Sequence, residues 1–326
     1  MKEEILALLR GRDEFVSGQA ICEQLGVSRT AVWKCVNQLK KEGYEIESVT
    51  RKGYRLLRSP DLLLEEEIRS WLPAGLPAGQ LCCFPEIDST NEEAKRRALA
   101  GAPDDSVYIA DIQTRGKGRR GRHWISPGGQ DLFYTILKKP EIPLNRISMI
   151  TLVTALSVAE AVEKHAGEFC QIKWPNDLVI HGKKICGILT EMGAEMDQLD
   201  YVVIGIGINV NRVEFDPEIA DHASSILKES GRRICRARLV SDAIAAFEKN
   251  YRQFAAVKDM TPFLKEYNDR LINVNREVRI IKDGKELVRR ALGINERGEL
   301  LVEDEKGRRE CIISGEVSVR GIYGYV

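Results

Sequence analysis

The sequence predicts an α+β chain of several domains, and three observations carry that expectation. Residues 1–60 hold short helical patterns ending in the hairpin-like TRKGYRLL. Residues 62–270 mix strand and helix patterns, and residues 274–326 are short strands separated by KDGK, NERG and EKGR. A length of 326 residues suits about two domains of ordinary size and at least one sizeable core.

The first part, 1–60, reads as a winged helix-turn-helix. In SGQAICEQLGVSRTAVWKCVNQLKKEG a helix meets a tight turn at Gly26, and a second helix starts behind Ser28 as its N-cap. Val32, Cys35, Val36 and Leu39 share one face of that helix. Arg29, Thr30, Trp33, Lys34 and Asn37 then point away from the core. A second helix of this type enters the DNA major groove, so the stretch from Gly18 to Asn37 is the expected DNA reader. Arg51-Lys52-Gly53-Tyr54-Arg55 forms the tip of a basic wing, placed for phosphate. The competing reading is a protein-interaction module with a solvated polar face. Because Lys+Arg and Asp+Glu both total 49, any nucleic-acid binding has to be local to such a patch.

Arg58-Ser59-Pro60-Asp61 ends this part, since proline closes the element before LLLEEE begins another. In the middle part, LCCFPEI, SVYIAD, LFYTIL, QIKWP, KKICGILTEM and YVVIGIGINV read as strands. Ser148–Lys164 and Leu239–Gln253 repeat apolar residues at helical spacing. EVRII, ELVRRALGI, ELLVED and RRECII after residue 274 suggest a small β-barrel. The N-terminus lacks an apolar signal core, and no apolar run approaches the roughly 20 residues of a membrane helix. Eight scattered cysteines, with no CxxC spacing, suit reduced thiols. A cytoplasmic protein without membrane contact is therefore expected.

The stretch Thr114–Trp124, TRGKGRRGRHW, concentrates five cations and three glycines. Glycine inside a helix or strand costs roughly 0.5–1 kcal/mol, so this segment is a loop, and its charge expects an anion. No Walker pattern GxxxxGK[ST], HExxH or GxSxG occurs, and Gly205-Ile206-Gly207-Ile208-Asn209-Val210 lacks the ending of a dinucleotide fingerprint. That leaves chemistry without a protein nucleophile, in which positioned cations stabilise charge around a phosphate. In KWPNDLVIHGKKICGILTEM a turn at Pro175-Asn176-Asp177 and a two-residue turn at His181-Gly182 put Lys184 just inside a strand. An ordinary hairpin with a solvated lysine pair fits the same spacing.

DSTN at 88–91, QTRGKGRRGRHW at 113–124, KWPNDL at 173–178, KKICGILTE at 183–191 and IGIGINVN at 204–211 follow one another in the order found in biotin–protein ligases. With the helix-turn-helix in front, the whole chain resembles the bifunctional bacterial form that is also the biotin operon repressor. The resemblance implies a central mixed sheet like the class II aminoacyl-tRNA synthetase core and a C-terminal small SH3-like β-barrel. It implies that ATP and biotin, with Mg2+, give biotinyl-5′-AMP. A lysine of the biotin carboxyl carrier protein, an acetyl-CoA carboxylase subunit, then takes the biotin. It also implies repression of biotin genes, with the adenylate as corepressor and a homodimer forming when adenylate is bound.

Carried over by position, Ser89, Thr90 and Asn91 line the biotin end, and Gln113 donates from the base of the loop. Lys117, Gly118 and Arg119 wrap the carboxylate and phosphate, and Trp124 packs on the adenylate. Lys184 and Arg119 are the expected catalytic cations, and Asn209 approaches the nucleotide. Asp177 is the candidate for magnesium or the acceptor lysine, although the metal ligands are not fixed by the pattern. Arg320 is a candidate contact to ATP or acceptor. Lys117 stands where the family usually has arginine, which keeps the charge but loses the planar fork. His123 reads as a loop residue; Lys173, Arg120 and Arg122 are either ligand contacts or solvated cations. A biotin-sensing repressor with lapsed ligase activity and a lipoyl-type protein ligase are the alternatives.

Overall fold

The computed structural model describes residues 1–10, 14–73, 76, 79–124, 126, 128–195, 198–282, 285–314 and 318–321. The contact expected of Arg320 falls on a side chain outside the described residues, as does that of Arg120.

At the N-terminus α1 (Lys2–Leu9), α2 (Gly18–Leu25) and α3 (Arg29–Lys41) precede a hairpin of β1 (Glu45–Val49) and β2 (Gly53–Arg58). Ser17 and Ser28 cap α2 and α3 by accepting from the amides of Ala20 (3.0 Å) and Ala31 (3.2 Å). Gly26 closes α2 with φ +65°, a conformation that favours glycine. The turn and second cap expected from the sequence are both present. Val32, Cys35, Val36 and Leu39 are buried, while Arg29, Thr30, Trp33 and Lys34 are exposed and Asn37 is half-buried. Trp33 is 57% exposed, a large apolar surface on the face that carries the cations. In the wing, Arg55 is committed to Glu47 at 2.7 Å.

Next come α4 (Glu65–Arg69), β3 (Leu81–Ile87), α5 (Thr90–Leu99), β4 (Ser106–Gln113), β5 (Leu132–Lys138) and α6 (Ile147–Ala166). They are followed by β6 (Gln171–Lys173), β7 (Asp177–Ile180), β8 (Lys183–Glu195), β9 (Gln198–Ile208), α7 (Ile226–Ser230), α8 (Arg236–Val257) and α9 (Leu264–Arg270). The strands form one seven-stranded sheet in the order β3-β4-β5-β9-β8-β7-β6, parallel only between β3 and β4. This is the expected mixed sheet, and its period-2 alternation makes two unlike faces. Ile109, Tyr134, Ile136, Ile204, Ile206 and Ile188 face the main core with α6 and α8. Tyr108, Leu137 and Val203 pack with Ala94 and Ala98 of α5 on the other face.

β10 (Glu277–Lys282), β11 (Lys285–Ile294), β12 (Leu300–Glu303), β13 (Arg309–Ile312) and β14 (Ser318–Gly321) make a five-stranded antiparallel sheet, order β13-β12-β11-β10-β14. The barrel expected here is present as that sheet; among the described residues no ladder joins β13 to β14. Trp174 is buried and donates to the Gly298 carbonyl at 3.1 Å, so the tryptophan of KWPND ties this sheet to the central one.

The N-terminal part is fastened through α4. Glu67 is completely buried and accepts from Arg10 and from the Tyr44 hydroxyl. The Arg10 guanidinium also lies 4.0 Å above the Trp71 ring. Burial, reinforced by the bond to Glu67, pushes the Tyr44 phenol up. From the other side, Ser241 of α8 donates to the Ile68 carbonyl at 2.9 Å. Removing one partner of a buried ion pair strands the other charge, at a cost of about 3–5 kcal/mol. Glu67→Ala should therefore lower unfolding free energy by about that amount in a urea titration; an unchanged midpoint and slope would show that the clamp holds nothing.

Candidate active site

The α5 face of the central sheet is where most of the selected residues meet. Alternation puts Gly205 and Gly207 of β9, Gly187 of β8 and Thr135 of β5 on that face, and Gly187 pairs directly with Gly207. A Cβ on Gly207 would sit 2.9 Å from the Trp124 ring, and one on Gly187 2.7 Å from it. At Gly205 the collision would be with the Asn91 amide, at 2.2 Å. The repeated IGIGI therefore clears a floor: isoleucines fill the core behind it, while glycines admit an indole and an amide in front.

Lys184 reaches this floor by a β-bulge. β7 pairs Leu178 with Cys186 but Val179 with Lys184, so Ile185 is the extra residue. Ile185 is buried, and Lys184 turns to the same side as Gly187, whose added Cβ would lie 3.1 Å from Nζ. Nζ sits 5.3 Å from the Trp124 ring centroid and 2.7 Å from Asp177 Oδ1. Asp177, expected to handle magnesium or the acceptor lysine, is thus the counter-ion of Lys184. Burial, followed by the charges of Lys184 and Lys173, holds the nearby His222 imidazole below its ordinary value.

The cationic loop is ordered against acidic and amide partners. Arg115 and Thr114 donate their amides to the carbonyls of Asp88 (2.8 Å) and Ile87 (2.9 Å). Lys117 bridges to His123 through the backbone, and Gly118 donates to the Arg122 carbonyl at 2.7 Å. A single 3-10 turn, Arg119–Gly121, forms the tip. Lys117 Nζ is 2.8 Å from Glu92 Oε1, and that pairing holds the Glu92 carboxyl below the usual range. Arg119 donates to Asn176 Oδ1 at 2.7 Å. Beneath the loop, the Arg96 guanidinium holds Asp88 down to about 2.

At the start of α5, Ser89, Thr90 and Asn91 are nearly inaccessible. Gln113 Oε1 accepts from the Thr90 amide at 2.8 Å, which leaves its Nε2 as the donor end; among the described residues that nitrogen has no acceptor. Asn209 is buried and donates to the Ser224 carbonyl at 2.9 Å, so it braces the return of the chain between β9 and α7. Ser89, Thr90, Asn91, Gln113, Lys117, Arg119, Trp124 and Lys184 thus surround one floor, while the Asn209 amide is directed elsewhere. Sequence reasoning passed over Asn176, Thr135 and Glu191. Asn176 and Glu191 lay within the quoted KWPNDL and KKICGILTE; Thr135 gave no local signal.

A separate cleft of about 750 Å3 opens beside this floor, between β8, the N-terminal turn of α6 and the C-terminal sheet. Arg119 and Asn176 form part of its wall, with Arg146, Thr190, Met192 and Arg297. Among the described residues no three His, Cys, Asp or Glu side chains cluster as a metal site. No described helix is long and apolar enough to cross a membrane.

Residues 83–209, which contain the floor and the loop, match the model of the biotin/lipoate A/B protein ligase family. Residues 2–55 match an HTH domain, and 274–320 the biotin protein ligase C terminal domain. Over 322 residues the chain is 38% identical to the bifunctional ligase/repressor BirA of Bacillus subtilis, covering 98% of both. It belongs to the bifunctional ligase/repressor family. Its Escherichia coli relative of the same name is 31% identical over 97% of this chain and 96% of that one. The biotin protein ligase of Aquifex aeolicus, solved with biotin and ATP, superposes with a TM-score of 0.65 at 30% identity. That match covers 74% of this chain and 99% of the other. For a ligase/repressor of this architecture the glycine floor is the feature most exposed to test. Gly207→Ala should push Trp124 off the floor and loosen the loop. Trypsin should then cut between Arg115 and Arg122 about tenfold faster, about 1.4 kcal/mol of lost docking; an unchanged rate would mean that Trp124 does not anchor the loop.

Proposed function

We propose that the chain is an ATP-dependent ligase that forms biotinyl-5′-AMP and passes biotin to a lysine of a biotin carboxyl carrier protein. It is also a transcriptional repressor of biotin genes that uses the adenylate as corepressor. The observation that carries this reading is the pairing of an amide-reading end, Thr90 with Gln113, and a cationic end, Lys184 with Arg119, across one glycine floor. A cyclic urea offers an N–H beside a carbonyl, and Thr90 Oγ1 with Gln113 Nε2 is the complementary acceptor and donor. The biotin carboxylate then extends toward Lys184.

In the first step a carboxylate oxygen attacks the α-phosphorus of ATP, and the bond to pyrophosphate breaks. Both reactants are anionic, so fixed cations at the meeting point lower the barrier. Lys184, kept in place by Asp177, and Arg119, kept by Asn176, supply them. Mg2+ bound to ATP would offset the charge of the phosphates, and Asp177, the carboxylate paired with Lys184, is the residue that would help to hold it. The loop, with Trp124 beneath it, covers the mixed anhydride and keeps water from it. In the second step the acceptor amine attacks the acyl carbon and AMP leaves. The cleft beside Arg119 and Asn176 gives the acceptor lysine its approach.

For repression, Arg29, Thr30, Trp33, Lys34 and Asn37 of α3 meet operator DNA in the cytoplasm. One such helix reads only a few base pairs, so two are needed, related by symmetry. Adenylate binding would favour a homodimer by fixing the loop, which links occupancy of the site to operator affinity.

Two variants separate the activities. Lys184→Ala should lower the adenylation rate about 10²–10³-fold while leaving the helix-turn-helix intact. Lys34→Ala should keep ligation and weaken binding to an inverted-repeat operator, lowering the log–log salt slope by about one. Wild-type adenylation by Lys184→Ala, measured as pyrophosphate release with biotin and ATP, would remove Lys184 from its role. Undiminished operator binding by Lys34→Ala would do the same for α3.

A further inference from the structure

Behind the amide-reading end lies a chain of polar side chains that the reaction itself does not use. Asn91 Nδ2 donates to Glu191 Oε2 at 2.7 Å and lies 3.3 Å from the Leu189 carbonyl. Asn91 Oδ1 is 2.6 Å from Thr135 Oγ1, which is 2.8 Å from Thr90 Oγ1. Thr90 Oγ1 is also 3.1 Å from Gln113 Oε1. Thr135 is fully buried, and the amide of Asn91 fits only because position 205 carries no side chain.

We infer that Glu191, Asn91 and Thr135 are a positioning relay that fixes the Thr90 hydroxyl as a hydrogen-bond acceptor, so that the pocket selects ligands with an N–H at that place. This rests on the biotin reading above and extends it to what sets the selectivity.

Counting hydrogens fixes the direction of each bond. An asparagine amide can sit either way round, but a carboxylate and a backbone carbonyl only accept. Glu191 and Leu189 therefore hold Nδ2 toward β8 and leave Oδ1 toward Thr135. Oδ1 also only accepts, so the single hydroxyl hydrogen of Thr135 goes to it. That hydrogen is thereby kept off Thr90 Oγ1, the other oxygen Thr135 can donate to, and the hydrogen of Thr90 goes to Gln113 Oε1. What Thr90 turns toward a ligand is then lone pairs. Lys95 Nζ, 2.7 Å from Glu191 Oε1, is the counter-ion at the far end of the relay. A ligand without an N–H, such as a dithiolane, would leave this buried acceptor unpaired, which is a large penalty in a dry site.

The test uses the full chain, with adenylation followed as pyrophosphate release. Glu191→Ala lets the Asn91 amide turn round, so that Thr135 spends its hydrogen on Thr90 Oγ1. The variant should raise KM for biotin at least about tenfold while kcat changes less than about threefold. Glu191→Gln, which keeps an acceptor, should recover most of that loss, and so should Thr135→Val added to Glu191→Ala, which removes the misdirected hydrogen. Biotin methylated at the ureido nitrogens is the second probe. Its KM penalty in wild type should shrink in Glu191→Ala, because the acceptor is no longer preset. A purely structural role would leave the penalty the same in variants and wild type, and that result would overturn the relay. So would a wild-type KM in Glu191→Ala. A wild-type chain that adenylates no biotin would overturn the function and the relay with it, which distinguishes the two failures.

Discussion

The site depends on a steric constraint before it depends on any charge. Gly187, Gly205 and Gly207 stand side by side on one face of the sheet, and a single methyl at any of them would collide with Trp124 or Asn91. Sheets normally lose stability from glycine, because it packs nothing and costs backbone entropy. Here the lost packing is offset on the opposite face, where Ile188, Ile204, Ile206 and Ile208 are buried against the main core. One strand thus serves two requirements through its alternation: isoleucine for stability, glycine for access.

Charge is then placed by local irregularity. A regular β8 would aim Lys184 into the core. The bulge at Ile185 turns it to the floor, where Asp177 restrains it. The loop is handled differently, by partners that lie outside it. Asp88, Glu92 and Asn176 each take one of its cations, so a segment rich in glycine holds a definite shape. Charged side chains here serve geometry first. In the proposed reaction their use depends on being held where an anion will arrive.

Much of this was legible in the sequence because it rests on short-range chemistry. Ser28 and Gly26 mark the ends of two helices wherever they occur, and GxGxN with alternating isoleucine can only be a strand with one bare face. The cationic loop announced an anion without any structure. What stayed hidden depends on pairing across the chain. Asp177 looked like a turn aspartate or a metal ligand because its partner, Lys184, is aimed by a bulge whose register is a tertiary property. Thr135 satisfies strand propensity and so reads as one more residue of LFYTIL. Glu67 sits in LLLEEE, which resembles an exposed helix start, yet its partners Arg10 and Tyr44 lie 57 and 23 residues away. Strands of the C-terminal part were readable from their turns, whereas closure of a barrel is decided by edges that no local pattern specifies.

The account's central claim is that a urea edge is read at Thr90 and Gln113 while a carboxylate is led to Lys184 over the glycine floor. A crystal structure of the chain with biotin tests it most directly. The account predicts the ureido N–H within hydrogen-bonding distance of Thr90 Oγ1, the ureido oxygen on Gln113 Nε2, and the carboxylate turned toward Lys184. Biotin seated instead in the cleft between α6 and the C-terminal sheet, with Thr90 and Gln113 untouched, would contradict it.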